Sequence, residues 1–115
     1  MKILLAEDNK INSIVLRKIL ERSNHVVVCV ENGQEALNAA KKEDFDLIFM
    51  DCQMPILNGF EATQEIRKFN KNIRIIAVTG FVHEKEECIK SGMNDYIVKP
   101  YNRESIEEKL RLLPE

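Results

Sequence analysis

Residues 47–55 read LIFMDCQMP, four apolar side chains in unbroken succession and then an acid, Asp51. A short run without polar alternation describes a strand buried on both faces, which is the condition of a strand inside a parallel sheet covered by helices. Working outward, similar runs stand at residues 3–6 (ILLA), 26–30 (VVVCV), 73–78 (IRIIAV) and 96–98 (YIV), several of them β-branched. The segments between them have helical spacing: Ile11, Val15 and Ile19; Ala36 and Ala40; Ala62, Ile66 and Phe69; residues 85–89; and Ile106, Leu110 and Leu113. Each presents one apolar stripe to a core. Asn32 precedes Glu35 by three residues and Asn58 precedes Glu61 likewise, the pattern of a cap with a reciprocal acid, and Asn9 and Asn102 are further cap candidates. Strands alternating with helices require right-handed crossovers, so the prediction is an α/β doubly wound sheet of five parallel strands with five helices.

The chain has 115 residues, which predicts one domain spanning residues 1–115. Hydrophobic residues make up 44% and charged residues 31%, a balance that can bury a core and argues against disorder. The net charge is -2 with both signs interspersed, so no field of one sign gathers nucleic acid or anionic lipid. Cys29, Cys52 and Cys88 are odd in number and form no CxxC pair, which argues against a disulfide framework or structural zinc and for a reducing cytoplasm. The apolar runs fall far short of the roughly 18 residues of a membrane span, and no signal-peptide pattern follows Met1.

Open parallel sheets keep their sites beyond the carboxyl ends of the strands. Here the first run ends in Glu7 and Asp8, the third in Asp51, the fourth in Thr79, and the fifth in Lys99 and Pro100. The second, expected at the sheet edge, ends in ordinary Glu31 and Asn32. Singly these residues have plain readings: acids at strand ends cap helices, and a lysine before proline is a solvated side chain at a turn. Their convergence at one sheet edge is what argues for chemistry. Two like charges about 4 Å apart repel by roughly 4 kcal/mol at an effective dielectric near 20, so three carboxylates together call for a cation. Hard oxygen donors without histidine or thiolate suit Mg²⁺ (or Mn²⁺), and Lys99 adds a further positive charge. With both present, the cluster can hold the charge that develops when a phosphoryl group is transferred to a carboxylate oxygen, with Asp51 as nucleophile.

LLAEDN at residues 4–9, MDCQMPILNG at 50–59, VTG at 78–80 and YIVKP at 96–100 resemble, in order and spacing, the response-regulator receiver domains of two-component signalling, over residues 2–113. The resemblance implies a flavodoxin-like sheet with strand order 2-1-3-4-5. It further implies that Asp51 is the phosphoacceptor, that Glu7, Asp8, Asp51 and the main-chain carbonyl of Gln53 gather Mg²⁺, and that Lys99 pairs with the phosphoryl oxygens. Thr79 and Tyr96 would form a switch acting on the surface of the fourth helix, fifth strand and fifth helix, and Pro100 would follow a cis peptide. Such a domain assists its own phosphorylation and dephosphorylation but is not a turnover enzyme. Gln53 and Phe81, two residues after Asp51 and Thr79, flank the path of water to a phosphoryl group. Leu57 and Asn58 stand where methionine and aspartate are frequent, and Gly80 where alanine is; none of these departures removes a reacting group.

The segment EDNKINSIVLRKIL, residues 7–20, together with DCQMP looks most like receivers attached to hybrid histidine kinases, whose partners are a histidine kinase or a histidine phosphotransfer domain. Rival readings are disfavoured by particular residues. A Mg-dependent aspartyl phosphatase resembles DxD at this point, whereas Gln53 stands where the second acid would protonate a leaving group. A flavin-binding module needs a phosphate cradle after the first strand, where this chain has Glu7 and Asp8. A phosphorylation-independent binding module would not need every reacting position filled.

Overall fold

The computed structural model describes residues 1–111. Its elements are β1 (Lys2–Ala6), α1 (Lys10–Arg22), β2 (Val26–Val30), α2 (Gly33–Lys42), β3 (Leu47–Asp51), α3 (Gly59–Arg67), β4 (Arg74–Thr79), α4 (Lys85–Ser91), β5 (Asp95–Val98) and α5 (Arg103–Arg111), with a 3₁₀ turn, Val82–Glu84, leading into α4. All pairings are parallel and the strand order is β2-β1-β3-β4-β5, the predicted topology. No described helix is long and apolar enough to cross a membrane.

The central strand β3 is buried at every residue, which is why its sequence carries no polar interruption. Because successive strand side chains point to opposite faces, the core divides in two. Leu4, Ile48, Met50, Ile75 and Ala77 pack with Ala36, Leu37, Ala62, Ile66 and Cys88 from α2, α3 and α4. Ile3, Leu5, Leu47, Phe49, Ile76 and Val78 pack with Leu16, Leu20 and Ile106 from α1 and α5. The four asparagines cap as predicted, but only one of the two expected reciprocal boxes closes: the Glu35 carboxylate accepts from the Glu31 amide at 2.8 Å rather than from that of Asn32. The side-chain oxygens of Asn9, Asn32 and Asn102 accept from the amides of Asn12 (3.0 Å), Glu35 (2.8 Å) and Ser105 (2.8 Å), and Asn58 and Glu61 close a reciprocal box at 2.9 and 3.0 Å.

Several apolar positions differ from expectation. In α1 the inward residues are Leu16 and Leu20, while Ile11 is 73% exposed and Val15 44%. Residues 14–16 (IVL) and 19–20 (IL) are apolar in succession, so the helical period accommodates two stripes, and contact with the sheet selects one. Val26 and Cys29 in β2 are exposed, because an edge strand lacks a neighbour on one side. Phe69 lies beyond the end of α3 and is exposed, as is Ile89 on α4. The fourth strand begins at Arg74, although Ile73 is buried beside it. Leu113 lies outside the described residues.

The loop after β3 contains Ile56, 78% exposed and with φ of 71°. That left-handed conformation costs an L-residue about 1–2 kcal/mol, more readily relieved in asparagine than in a β-branched side chain. Ile56→Asn is therefore expected to raise stability by about 1 kcal/mol in urea unfolding; an unchanged midpoint would show that Ile56 does not hold this conformation in solution.

Candidate functional site

Glu7, Asp51, Thr79 and Lys99 each sit at or one position past a strand end, where the ladder continues, while Asp8 and Gln53 lie two positions past theirs and Tyr96 lies within β5. The Glu7 amide donates to the Val30 carbonyl at 3.1 Å, Cys52 to Val78 at 3.1 Å, and Lys99 to Thr79 at 2.7 Å. These bonds bring Glu7, Asp51, Thr79 and Lys99 to one edge of the sheet. The Lys99 ammonium lies 3.2 Å from Oε1 of Glu7 and 3.2 Å from Oδ2 of Asp51. Asp8 is exposed, yet its carboxylate lies in the same group: one oxygen each from Glu7, Asp8 and Asp51 fall within 4.8 Å of one another. The Gln53 amide donates to Oδ1 of Asp51 at 3.2 Å, and the Asn9 amide to Oε2 of Glu7 at 3.4 Å. The Lys99–Pro100 peptide is cis, as expected.

Burial, and then the adjoining Glu7 carboxylate, push the Asp51 carboxyl up to about 8. Burial also pushes Glu7 upward, but its hydrogen bond with Asp51 and the charge of Lys99 outweigh that and hold it below its ordinary value. Without a cation the Glu7–Asp51 pair therefore keeps a proton at neutral pH. Burial works against the charge on Lys99, yet the two carboxylates prevail and raise its pKa. Buried carboxylates that retain a proton, joined by an exposed third, fit a hard divalent cation such as Mg²⁺, which would take the place of that proton. No thiolate competes. Cys52 is buried on the other side of the strand end, its Sγ 3.7 Å from that of Cys88, and burial pushes its thiol up.

Thr79 is buried, but its hydroxyl is turned toward Glu84: Oγ1 accepts from the Phe81 amide at 3.1 Å and donates to Oε1 of Glu84. Tyr96 is not part of the charged cluster. Its partner in the sheet register is Ala77, two residues before Thr79, and its half-buried ring lies 5.4 Å from the Lys85 ammonium and 5.9 Å from that of Lys109. Phe81 is half exposed, and the Gln53 side chain donates to Oε2 of Glu84 at 2.8 Å. The sequence reading missed two contributors. Glu84 stands in the charged run HEKEE, residues 83–87, which reads as a solvated helix face. Tyr101 donates its hydroxyl to the Asn12 carbonyl at 3.1 Å, and burial, with the charges of Glu7 and Asp51, pushes it up to about 12. With Asn12, Val15, Lys99 and Pro100 it lines an open cleft of about 310 Å³ beside the cluster. A carboxylate so placed, with an ammonium on one oxygen and open space alongside, can receive an electrophile whose developing negative charge meets fixed positive charge.

The family model described as the response regulator receiver domain matches residues 3–111. Hybrid signal transduction histidine kinase B of Dictyostelium discoideum is 39% identical over 121 residues, covering 91% of this chain and 6% of that protein. Across three sensor and hybrid kinases that match at 35–39% identity, the chain spans 6–15% of their length. Among solved structures, the receiver domain of sensor histidine kinase PA1611 from Pseudomonas aeruginosa PAO1, with a magnesium ion coordinated in its active site cleft, superposes with a TM-score of 0.90 at 37% identity, covering 96% of this chain and 93% of that one. A chain from the co-crystal structure of the Saccharomyces cerevisiae phosphotransfer protein Ypd1 with the receiver domain of Ssk1 gives 0.89 at 35% identity, covering 95% and 85%. With the predicted topology in place and the model matching nearly the whole described chain, this protein belongs to the response-regulator receiver domain family.

Proposed function

We propose that this receiver is a phosphoacceptor in a cytoplasmic phosphorelay, with Asp51 taking a phosphoryl group from a phosphohistidine. The observation that carries the reading is the position of Asp51: buried, bonded to Lys99, and within one carboxylate group with Glu7 and Asp8. In the transfer the P–N bond of a phosphohistidine protonated on its other ring nitrogen breaks, its electron pair staying on nitrogen, and a P–O bond forms to a carboxylate oxygen of Asp51, leaving neutral imidazole and an acyl phosphate. Asp51 reacts as its anion, so the proton that the Glu7–Asp51 pair retains has to leave first. Lys99, already on the same carboxylate, meets the charge of the phosphoryl oxygens. Glu7, Asp8, Asp51 and the Gln53 carbonyl would hold Mg²⁺, which supplies further positive charge to those oxygens when bound. Thr79 would turn its hydroxyl to the phosphoryl group and Tyr96 its ring inward, shifting the surface of α4, β5 and α5 between two pre-existing arrangements.

The donor or recipient would be a histidine kinase or histidine phosphotransfer domain, with this chain part of a hybrid kinase or free-standing. Support comes from the exposed apolar residues Ile11, Ile14 and Val15 on the first turns of α1, beside the cleft that Asn12 and Val15 line. The hybrid-kinase relatives and the receiver crystallised with Ypd1 favour the same class of partner. The test is intact mass after incubation with acetyl phosphate, with and without Mg²⁺, beside Asp51→Asn. One added phosphoryl group that requires both Mg²⁺ and Asp51 is expected. No addition would leave a phosphorylation-independent binding module, and repeated turnover of a generic phosphate ester would indicate a phosphatase.

A further inference from the structure

Among the described residues the buried carboxylates are Glu7, Asp51 and Glu84, and the third has no part in the chemistry above. Glu84 closes the 3₁₀ turn between β4 and α4 and is 7% exposed. Burying a carboxylate is costly unless its oxygens are bonded, and those of Glu84 are bonded to the side chains of Thr79, the residue after Asp51's partner in the sheet register, and of Gln53, two residues after Asp51. Oε1 accepts from the Thr79 hydroxyl and Oε2 accepts from the Gln53 carboxamide at 2.8 Å. Gln53 in turn places its main-chain amide 3.2 Å from Oδ1 of Asp51. Glu84 takes part in no ion pair among the described residues, so these two donors are its compensation.

A hydroxyl carries one proton. That of Thr79 is committed to Glu84, with the Phe81 carbonyl, 3.3 Å away, as its other acceptor, while the Phe81 amide occupies the oxygen from the other side. Any group on Asp51 that is to receive this proton has to take it from a carboxylate, and hydrogen bonds to an ionised acceptor are about twice as strong as neutral ones. From this geometry we infer that Glu84 is a latch: it holds the Thr79 hydroxyl and the Gln53 carboxamide away from Asp51 and thereby sets how readily the site accepts a phosphoryl group. The inference rests on the phosphoacceptor reading. Glu84 acts through Thr79 and touches no reacting atom, so it is a positioning residue.

The experiment measures binding of beryllofluoride, a phosphoryl mimic, at saturating Mg²⁺ by isothermal titration calorimetry. The full chain is compared with Glu84→Gln and Glu84→Asp, each in the natural and the Thr79→Val background. Glu84→Gln removes the charge and keeps the length; Glu84→Asp keeps the charge and withdraws the carboxylate by one methylene. Both are expected to bind roughly tenfold more tightly than the natural chain, the difference between a charge-assisted and a neutral hydrogen bond. Neither is expected to gain once Thr79→Val has removed the hydroxyl. Should Glu84→Gln fail to fold, Glu84→Asp gives the same comparison. Unchanged affinity with Thr79 present, or an equal gain without it, would overturn the latch and leave the phosphoacceptor reading standing. No binding by the natural chain would remove both.

Discussion

Metal-free Asp51→Asn is expected to be more stable than the natural chain by roughly 2 kcal/mol at pH 8, the scale set by a buried carboxylate that shares one ammonium, Lys99, with Glu7. The Asp51 carboxyl is raised from 3.8 to about 8 by burial and by Glu7. Below about pH 4 the folded and unfolded chains both carry its proton, and the residue contributes no pH dependence. Between about pH 4 and 8 the folded chain keeps a proton that the unfolded chain has lost, so stability falls as pH rises and the loss is complete above the folded value. Glu7, lowered in the folded state, has the opposite sign: its contribution is present above its unfolded value and lost as pH falls. Asparagine resembles the protonated form of Asp51 and removes the dependence that this residue contributes. Urea unfolding at pH 5 and pH 8 with a chelator tests this, and a natural chain no less stable than the variant at pH 8 would refute it. Adding Mg²⁺ is expected to narrow or reverse the gap, because an ion held by Glu7, Asp8 and Asp51 binds only the folded chain.

Gly59→Ala is expected to destabilise the chain by about 3 kcal/mol, at the upper end for overpacking, and to slow phosphorylation by acetyl phosphate roughly tenfold. A Cβ at Gly59 would lie 2.2 Å from the Asp51 carbonyl oxygen and 3.0 Å from both the Asp51 carbonyl carbon and Cys52 Cα. These are main-chain atoms, which no rotamer change can move aside. The Gly59 amide also donates to the Cys52 carbonyl at 3.0 Å, so α3 begins directly against the end of β3, and a displacement there is carried to Asp51. Gly80→Ala is the control: a Cβ there meets nothing within 4 Å, and little change is expected. Equal stability for the two variants would show that the loop between β3 and α3 yields where the structure shows it packed.

The two substitutions mark different levels of information. The strands and the residues beyond their ends were legible because a buried parallel strand is an unbroken apolar run and its chemistry follows at once in sequence, as in LIFM before Asp51 and YIV before Lys99, whereas the strand order came from the resemblance to receiver domains. The four asparagine caps were legible for a similar reason: a side chain reaching an amide three residues on is a local contact.

Other features depend on what lies opposite. Which stripe of α1 faces inward was settled by the sheet, since Leu16 and Leu20 fit the groove beneath them while Ile11 and Val15, equally apolar, are left in solvent. The exposure of β2 follows from its place at the edge. The role of Glu84 is absent from its own neighbourhood in HEKEE and appears only when the turn after β4 folds its carboxylate onto Thr79 and Gln53. The raised pKa of Asp51 likewise arises from burial and from Glu7, forty-four positions earlier in the chain. Period and capping are short-range properties that a sequence determines by itself; orientation, burial and the pairing of charges depend on groups distant along the chain, and only the tertiary structure brings those within reach.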